Sequence, residues 1–405
     1  MSEPQSTCPM SRCSHVVLTL VLGLGLGLPL AVAAWHTVAR EWKTCTQVSQ
    51  WKQRGDAAFL AGDYSTSARA YSRARTIDPT TTGVLPLFAR ARLFDAAWHP
   101  DTLQGDYVAE VALDLDAVEA AFPADKPTVT AVRGFLAILG GRPAEGEATT
   151  RKALELDPAN GPANLGLALI LRRTPDKAKE TLVAMEAAIK ARPKAPELLA
   201  LMGRILLDQG DAKTAADRLS ESVALRETAD SLRDYGTALL AQNDSRGAAK
   251  RLGDSVRLND RDATTWSLLA QADLMIEAYD QAEAAARNSL TIQQSPTAAI
   301  RLAQALNRQN KFGEAAQFLQ QMLQTQRDLV ALFEFASALE GLGRTPDALS
   351  VYREILATQL PREQQQSKLV QQIQSISAQR VQALEATAVP VAATPAPKAA
   401  KKGAR

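Results

Sequence analysis

Side chains that commonly carry out chemistry are few in this chain and lie far apart. The only histidines among its 405 residues are His15, His36 and His99. None lies four residues from another histidine or from a cysteine, the helical spacing at which two side chains hold one metal ion. No glycine-rich phosphate loop and no G-x-S-x-G nucleophile elbow occurs. We therefore expect no metal site, no cofactor and no enzymatic activity.

Two carboxylate pairs remain as candidates for acid–base chemistry. Asp114 and Asp116 form one pair, and Glu145 and Glu147 form the other. A catalytic dyad needs surroundings that move its two pKa values apart, whereas carboxylate pairs on helical surfaces are mostly solvated. The remaining enzymatic hypothesis requires a pocket with convergent titratable side chains in the irregular region 80–126.

The elements that position side chains follow a repeat of about 34 residues, first visible in Trp51–Pro79. Small and aromatic residues alternate at helical spacing in both halves of this unit, a glycine turn separates the halves, and a proline ends the second. This spacing predicts a helix–turn–helix in which small residues let the helices approach closely. The marker residues are Trp51, Gly55, Ala58, Gly62, Ser67, Tyr71, Ala74 and Pro79.

This pattern resembles the tetratricopeptide repeat, a family with a W/L-x-x-L-G/A motif followed by further small and aromatic positions at fixed offsets. Arg54 stands where the family prefers leucine, which predicts a water-exposed face on the first helix. The resemblance implies an all-α, right-handed solenoid of helical hairpins. Seven further units keep nearly the same phase, marked by Gly134 and Ala153, Leu167 and Ala188, Gly203 and Leu219, Gly236 and Leu252, Ala270 and Ala282, Ala303 and Leu319, and Ala336 and Tyr352.

The N-terminal part predicts a membrane anchor. Val16 to Trp35 carries no charge over its whole length, and a helix of about 20 residues spans a bilayer core of about 30 Å. The same stretch also fits a signal peptide, since Pro29 breaks it and Ala31-Val32-Ala33 is an acceptable cleavage site. The apolar run continues past that site to Trp35, which favours a retained transmembrane helix.

The orientation of this anchor is nearly balanced by charge, with Arg12 on one side and Arg40 and Lys43 on the other. All 3 cysteines lie near the anchor, which suits an oxidising compartment for the rest of the chain. Together with an Ala/Arg-rich composition, this predicts a single-pass protein of a bacterial inner membrane with periplasmic repeats. The alternatives are cytoplasmic-facing repeats and secretion after signal cleavage. Gly23 and Gly27 offer a packing face for two such helices, but a homodimer is not favoured.

The resemblance also implies where a partner would bind, because the first helix of each tetratricopeptide repeat lines the concave surface. Outward positions of these helices are rich in guanidinium and amide groups, which suit the carboxylates and carbonyls of a peptide or an acidic helix. Lys52 matches one position of the family's carboxylate clamp, but Asp56 replaces the expected asparagine, which disfavours that ligand. The candidate partner-binding residues are Arg172, Arg173, Arg204, Arg233, Thr237, Gln271, Gln304 and Arg308.

The predicted organisation is a tail (1–15), the anchor (16–35), a juxtamembrane segment with the first repeat (36–79), a degenerate helical pair (80–126), seven further repeats (127–361), a capping helix (362–386) and a disordered Ala/Pro/Lys tail (387–405). The capping helix places Leu369, Ile373, Ile376 and Leu384 on one apolar face; a short coiled coil is the alternative.

These features predict a membrane-anchored repeat protein whose partners are proteins or peptides. The formal net charge of +2 gives no general attraction to nucleic acid, so we expect no nucleic-acid partner. The first functional hypothesis is a scaffold or assembly factor for an envelope complex, which would hold its partners in fixed stoichiometry. The alternative is a chaperone or adaptor that binds exposed peptides transiently.

Overall fold

The computed structural model describes residues 28–388 with the exception of 82, 173, 360 and 362–366. Every regular element in these residues is helical, which confirms the all-α prediction for this part of the chain. Residues 16–27 of the predicted anchor lie outside it, as does the proposed packing face at Gly23 and Gly27. Among the described helices, none combines the length and the apolar character needed to cross a bilayer.

The chain divides into two compact units of helical hairpins, and the first ends at Leu198. Within it, consecutive helices pack against each other in chain order. Its helices are α1 (Leu28–Leu60), α2 (Tyr64–Ile77), α3 (Leu85–Trp98), α4 (Asp106–Ala121), α5 (Lys126–Leu139), α6 (Pro143–Leu156), α7 (Gly161–Leu171) and α8 (Ala178–Ala191).

The second unit begins at Leu199, inside α9. From α10 onward, consecutive helices pack in chain order, and each first helix of a hairpin also contacts the first helix of the next hairpin from α11 to α17. The helices are α9 (Pro196–Asp208), α10 (Ala212–Leu225), α11 (Ala229–Ala241), α12 (Ser245–Leu258), α13 (Ala263–Met275), α14 (Tyr279–Ile292), α15 (Pro296–Arg308), α16 (Phe312–Thr325), α17 (Leu329–Gly341), α18 (Thr345–Ala357) and α19 (Lys368–Ala388).

A contact between a small and a large residue sets the spacing of the two helices in a hairpin. Gly55 on α1 faces Tyr71 on α2, and Gly203 on α9 faces Leu219 on α10. A Cβ atom at these glycines would lie 2.6 Å from Tyr71 Cε1 and 2.4 Å from Leu219 Cγ. Atoms in a close-packed interior do not approach so closely, so a side chain at either glycine would push the helices apart. Both large partners are buried.

The turn inside a hairpin also repeats. In the first hairpin, Gly62 has a φ of 78°, and the N–H of Asp63 donates to the carbonyl of Ala58 at 2.9 Å. The Asp63 carboxylate then accepts a hydrogen bond from the N–H of Thr66 at 3.0 Å. One tight turn therefore caps the end of one helix and the start of the next. The left-handed position recurs at Gly141, Gly210, Asn243, Glu277, Asn310 and Gly343.

Region 80–126 forms the hairpin of α3 and α4 and is part of the core of the first unit. Trp98 at the end of α3 is buried, and a Cβ atom at Gly161 of α7 would lie 2.4 Å from Trp98 Cη2. The guanidinium carbon of Arg90 lies 4.6 Å from the ring centroid of Phe59. Aromatic and cationic side chains thus pack this hairpin onto its neighbours.

Helix α19 packs against α18 and α17. Ile373 is buried, and Val381 and Leu384 lie against the cluster that contains Tyr352. Leu369, which the sequence placed on the apolar face, is 54% exposed. The described part of this helix therefore covers the last hairpin with its middle and C-terminal turns.

We expect the small–large contact to be tested cleanly in the hairpin of α11 and α12. A Cβ atom at Gly236 would lie 2.6 Å from Leu252 Cγ, whereas a Cβ atom at Gly253 would have no atom within 4 Å. Gly236→Val should therefore lower the free energy of unfolding by about 1–3 kcal/mol, and Gly253→Val should change it by no more than about 0.5 kcal/mol. Urea denaturation of the full-length variants measures both, and equal effects would contradict this account of the packing.

Candidate partner-binding groove

Several predicted partner-binding residues share one structural position in the second unit. Each lies directly after the small residue that faces the partner helix of its own hairpin. From this position, three of the side chains reach the first helix of the following hairpin, to a residue about 30 positions later. We call these contacts the inter-repeat ladder, and its rungs are Arg204–Asp234, Gln271–Arg301 and Gln304–Glu334.

At the first rung, Arg204 and Arg233, which the sequence predicted to bind a partner, form ion pairs with carboxylates of the protein itself. Asp234 is 8% exposed and receives Arg204 at 3.6 Å and Arg233 at 3.1 Å. Arg233 also forms ion pairs with Asp230 at 2.9 Å and with Asp262 at 3.1 Å. Burial raises the pKa of Asp234, and the two guanidinium groups oppose that rise. Arg204 and Arg233 therefore neutralise a buried acid within the fold.

The other predicted residues are dispersed. The Thr237 hydroxyl donates to the carbonyl of Arg233 at 2.9 Å, within its own helix. Arg172 and Arg308 are exposed at the C-terminal ends of α7 and α15, and Arg173 lies outside the described residues. The structure thus brings only part of the predicted set together.

An open groove of about 360 Å³ lies along α13, α15 and the start of α17, a volume in the range of ligand-binding pockets. It joins Gln271 and Gln304 of the predicted set to an apolar wall. We call this surface the α13–α15–α17 groove, and it is lined by Gln271, Leu274, Met275, Thr297, Ile300, Arg301, Gln304 and Val330.

Arg301 is the cation of this groove, and sequence reasoning did not select it. Its guanidinium donates to Ser267 Oγ and to Gln271 Oε1, which are both neutral. Burial lowers its pKa to about 10, so the side chain stays protonated at neutral pH. Within the described residues it has no carboxylate partner. Arg301 stands two residues before the small residue of its helix, the position that Asp234 and Glu334 occupy in theirs. The sequence therefore shows a cation where the neighbouring rungs have a carboxylate.

A buried carboxyl lies on helix α13, between Gln271 and Leu274 in the sequence. Asp273 is 7% exposed, and burial raises its pKa to about 6. It stands three residues after the small Ala270, a position that leucine occupies in four other hairpins of this unit. Those residues are Leu206, Leu239, Leu306 and Leu339.

Other polar residues that the sequence singled out are engaged with neighbours. His99 Nδ1 lies 3.3 Å from Asp95 Oδ1, and Lys52 Nζ lies 2.8 Å from Asp56 Oδ2. The described residues contain no group of three or more metal-ligand side chains. The members of the two predicted carboxylate pairs each bind a different arginine, in the ion pairs Arg92–Asp114, Arg133–Asp116, Arg142–Glu145 and Arg151–Glu147.

Repeated hairpins with a small–large contact, a left-handed turn and chain-order stacking define the fold as a helical repeat of the tetratricopeptide type. Residues 277–355 match the family model described as anaphase-promoting complex, cyclosome, subunit 3. No curated protein sequence matches the chain.

Solved structures match parts of this chain at low sequence identity and with TM-scores below 0.5. The APC/C hetero-tetramer Cut9-Hcn1 is 19% identical over 70% of this chain and 54% of its own, with a TM-score of 0.47. A tetratricopeptide repeat protein from Parabacteroides merdae is 13% identical over 61% of this chain and 96% of its own, with a TM-score of 0.45. YrrB, a repeat protein with an unusual peptide-binding site, is 17% identical over 45% of this chain and 95% of its own, with a TM-score of 0.41.

The buried carboxyl of Asp273 should make stability depend on pH. Its pKa is raised from 3.8 to about 6 on folding, so the unfolded chain loses this proton first as pH rises. The free energy of unfolding should therefore fall between about pH 4 and pH 6, by at most about 3 kcal/mol, and stay lower above that range.

Asp273→Leu should remove this contribution and add apolar burial, whereas Asp273→Asn should remove only the titration. Urea denaturation at pH 4, 5, 6 and 7 measures the difference between each variant and the wild type. A difference that stays constant with pH would show that Asp273 ionises as freely in the folded chain as in the unfolded one.

The ion pairs at the first rung give a second test. Arg233→Gln should lower the free energy of unfolding by about 1–3 kcal/mol, because Asp234 stays buried and loses its nearer cation. Arg204 has a side chain 51% exposed and lies farther from the acid, so Arg204→Gln should cost no more than about 1 kcal/mol. Urea denaturation at pH 7 compares the two variants, and a larger loss from Arg204→Gln would reverse the assignment.

Proposed function

We propose that this protein binds segments of partner proteins in the α13–α15–α17 groove and has no catalytic role. The observation that carries this proposal is the groove itself, in which an apolar wall lies beside amide, hydroxyl and guanidinium groups. Such a combination suits an extended segment, because the wall takes its apolar side chains and the polar groups pair with its backbone. The subunit description of the family that matches residues 277–355 agrees with this role.

We further propose that the protein holds its partners at a membrane. Val16 to Trp35 is uncharged and long enough to span a bilayer core. Helix α1 then runs without a break from Leu28 to Leu60, so the end of this segment and the first repeat share one helix. An anchor joined in this way would fix the first hairpin close to the membrane surface. The proposed setting is a bacterial inner membrane with the repeats in the periplasm.

Within this setting, a scaffold or assembly factor for an envelope complex is the preferred role, and a transient chaperone or adaptor is the second candidate. The two differ in what occupies the groove. A scaffold holds one partner or a few in fixed proportion, whereas a transient binder meets many segments in turn.

Site-specific photo-crosslinking in intact cells tests the proposal. A photoreactive amino acid at Thr297, which lines the groove, should give discrete heavier species, because a bound segment lies within reach of it. The same residue placed at Asn288, exposed on the second helix α14, is the control and should give none. No adduct at Thr297, or the same adducts at both positions, would contradict a groove-bound partner. A continuous smear specific to Thr297 would favour the transient role.

Protease treatment of spheroplasts gives the side of the membrane. Periplasmic repeats should be cut in intact spheroplasts, since the protease reaches them without crossing the inner membrane. Repeats that are cut only after detergent lysis would place them in the cytoplasm, and repeats released without detergent would indicate a cleaved signal.

A further inference from the structure

Among the three rungs of the inter-repeat ladder in the described residues, only the first pairs a carboxylate with a cation. Glu334 and Arg301 have neutral partners, and of these two residues only Arg301 lines the groove. Asp234 has two arginine partners. Glu334 accepts hydrogen bonds from Gln304 at 3.2 Å and from Asn307 at 2.9 Å. Arg301 has only the neutral oxygens of Ser267 and Gln271. A partly buried cation without a counter-ion is unfavourable, so the middle rung is electrostatically incomplete.

The groove is a place from which a partner can compensate the charge of the Arg301 guanidinium. The group has five N–H donors, and its two described hydrogen bonds go to α13, one through each terminal nitrogen. Arg301 itself lines the groove, so a carboxylate there can accept from the remaining donors. Such a bond joins two ionised groups, whereas the acceptors of the bonds already made, on Ser267 and Gln271, are neutral.

The surroundings of Arg301 define what should accompany that carboxylate. Leu274, Ile300 and Val330 form the apolar part of the lining, and Gln271 and Thr297 add neutral polar groups. The groove crosses three successive first helices and contains a single cation in its lining. This arrangement suits a segment that passes through with one acidic side chain, and it supplies no second cation of the kind that grips a chain end.

We infer that Arg301 is a specificity-determining residue that receives an Asp or Glu side chain of an extended partner segment, next to an apolar side chain of that segment. This inference rests on the proposed function, because it requires that the groove binds peptides. It assigns the selectivity of the groove to one cation that the fold leaves uncompensated.

Peptide display tests this assignment even while the natural partner is unidentified. Random dodecapeptides fused at both ends to the carrier, so that no free carboxyl terminus is presented, are selected on the immobilised full-length protein. Wild-type selections should be enriched in Asp or Glu at one position beside an apolar residue. For individual selected peptides, changing that acid to its amide should weaken binding about tenfold, the range expected for a charge-assisted pair.

Three variants separate charge from fold. Arg301→Gln should bind the acidic peptide and its amide equally, whereas Arg301→Lys should keep part of the preference. Arg246→Gln is the control, because Arg246 is an exposed arginine on the second helix α12 and does not line the groove, and it should keep the full preference. Circular dichroism and urea midpoints confirm that each variant is folded.

The outcomes distinguish this inference from the function on which it rests. If wild type selects no peptide, both fail. If it selects peptides that Ile300→Arg abolishes, but without an acidic preference or with the same preference after Arg301→Gln, then the groove binds peptides and the role of Arg301 is overturned. A preference that appears only in a second library with free C-termini would assign the carboxylate to a chain end and overturn the assignment to a side chain.

Discussion

The close approach of a small and a large residue between the two helices of a hairpin, as at Gly55–Tyr71, Gly203–Leu219 and Gly236–Leu252, is the constraint on which the rest of the structure depends. Where Gly203 faces Leu219, the two backbones come closer than any side chain at the glycine would allow. This approach fixes which face of the first helix is covered by its partner and leaves the opposite face open. The residue after the small one then points toward the next hairpin, so the same contact that closes a hairpin also aligns the ladder between hairpins.

This dependence explains how much of the molecule could be predicted from its sequence. Packing positions tolerate few residue types, and for that reason Gly55, Tyr71 and their equivalents are readable as an all-α repeat. The open faces accept almost any polar residue. Gln271 and Gln304, two of the residues predicted to bind a partner, line the α13–α15–α17 groove, and their role in binding stays a prediction. The sequence could not show that Arg204 and Arg233 form ion pairs with Asp234. The pairs Arg204–Asp234 and Arg233–Asp262 depend on which side chains meet across about 30 residues of chain.

Arg301 is a residue that the sequence did not single out and that the structure does. In the sequence of α15 alone, nothing separates Arg301 from Arg308, because both are arginines of the same helix. The two arginines differ in their contacts with the neighbouring helix, since Ser267 and Gln271 of α13 accept hydrogen bonds from Arg301. Arg301 is partly buried, has no described carboxylate partner, and occupies the rung position at which Asp234 and Glu334 are carboxylates. This contrast emerges from comparing successive rungs rather than from any single residue. A repeat protein offers this comparison internally.

The hairpin of α13 and α14 brings together two unfavourable features, the buried carboxyl of Asp273 and the left-handed backbone of Glu277, which has a φ of 63°. In a stack whose stability is a sum of local and nearest-neighbour contributions, we expect such a hairpin to exchange its amide hydrogens before its neighbours. The groove crosses this weak point, because its lining comes from α13 on one side and α15 on the other. A segment that contacts both α13 and α15 would stabilise this region, so binding in the groove and local order are reciprocally linked. When a segment bound as proposed dissociates, we expect the hairpin of α13 and α14 to open more often while the hairpins on either side stay folded.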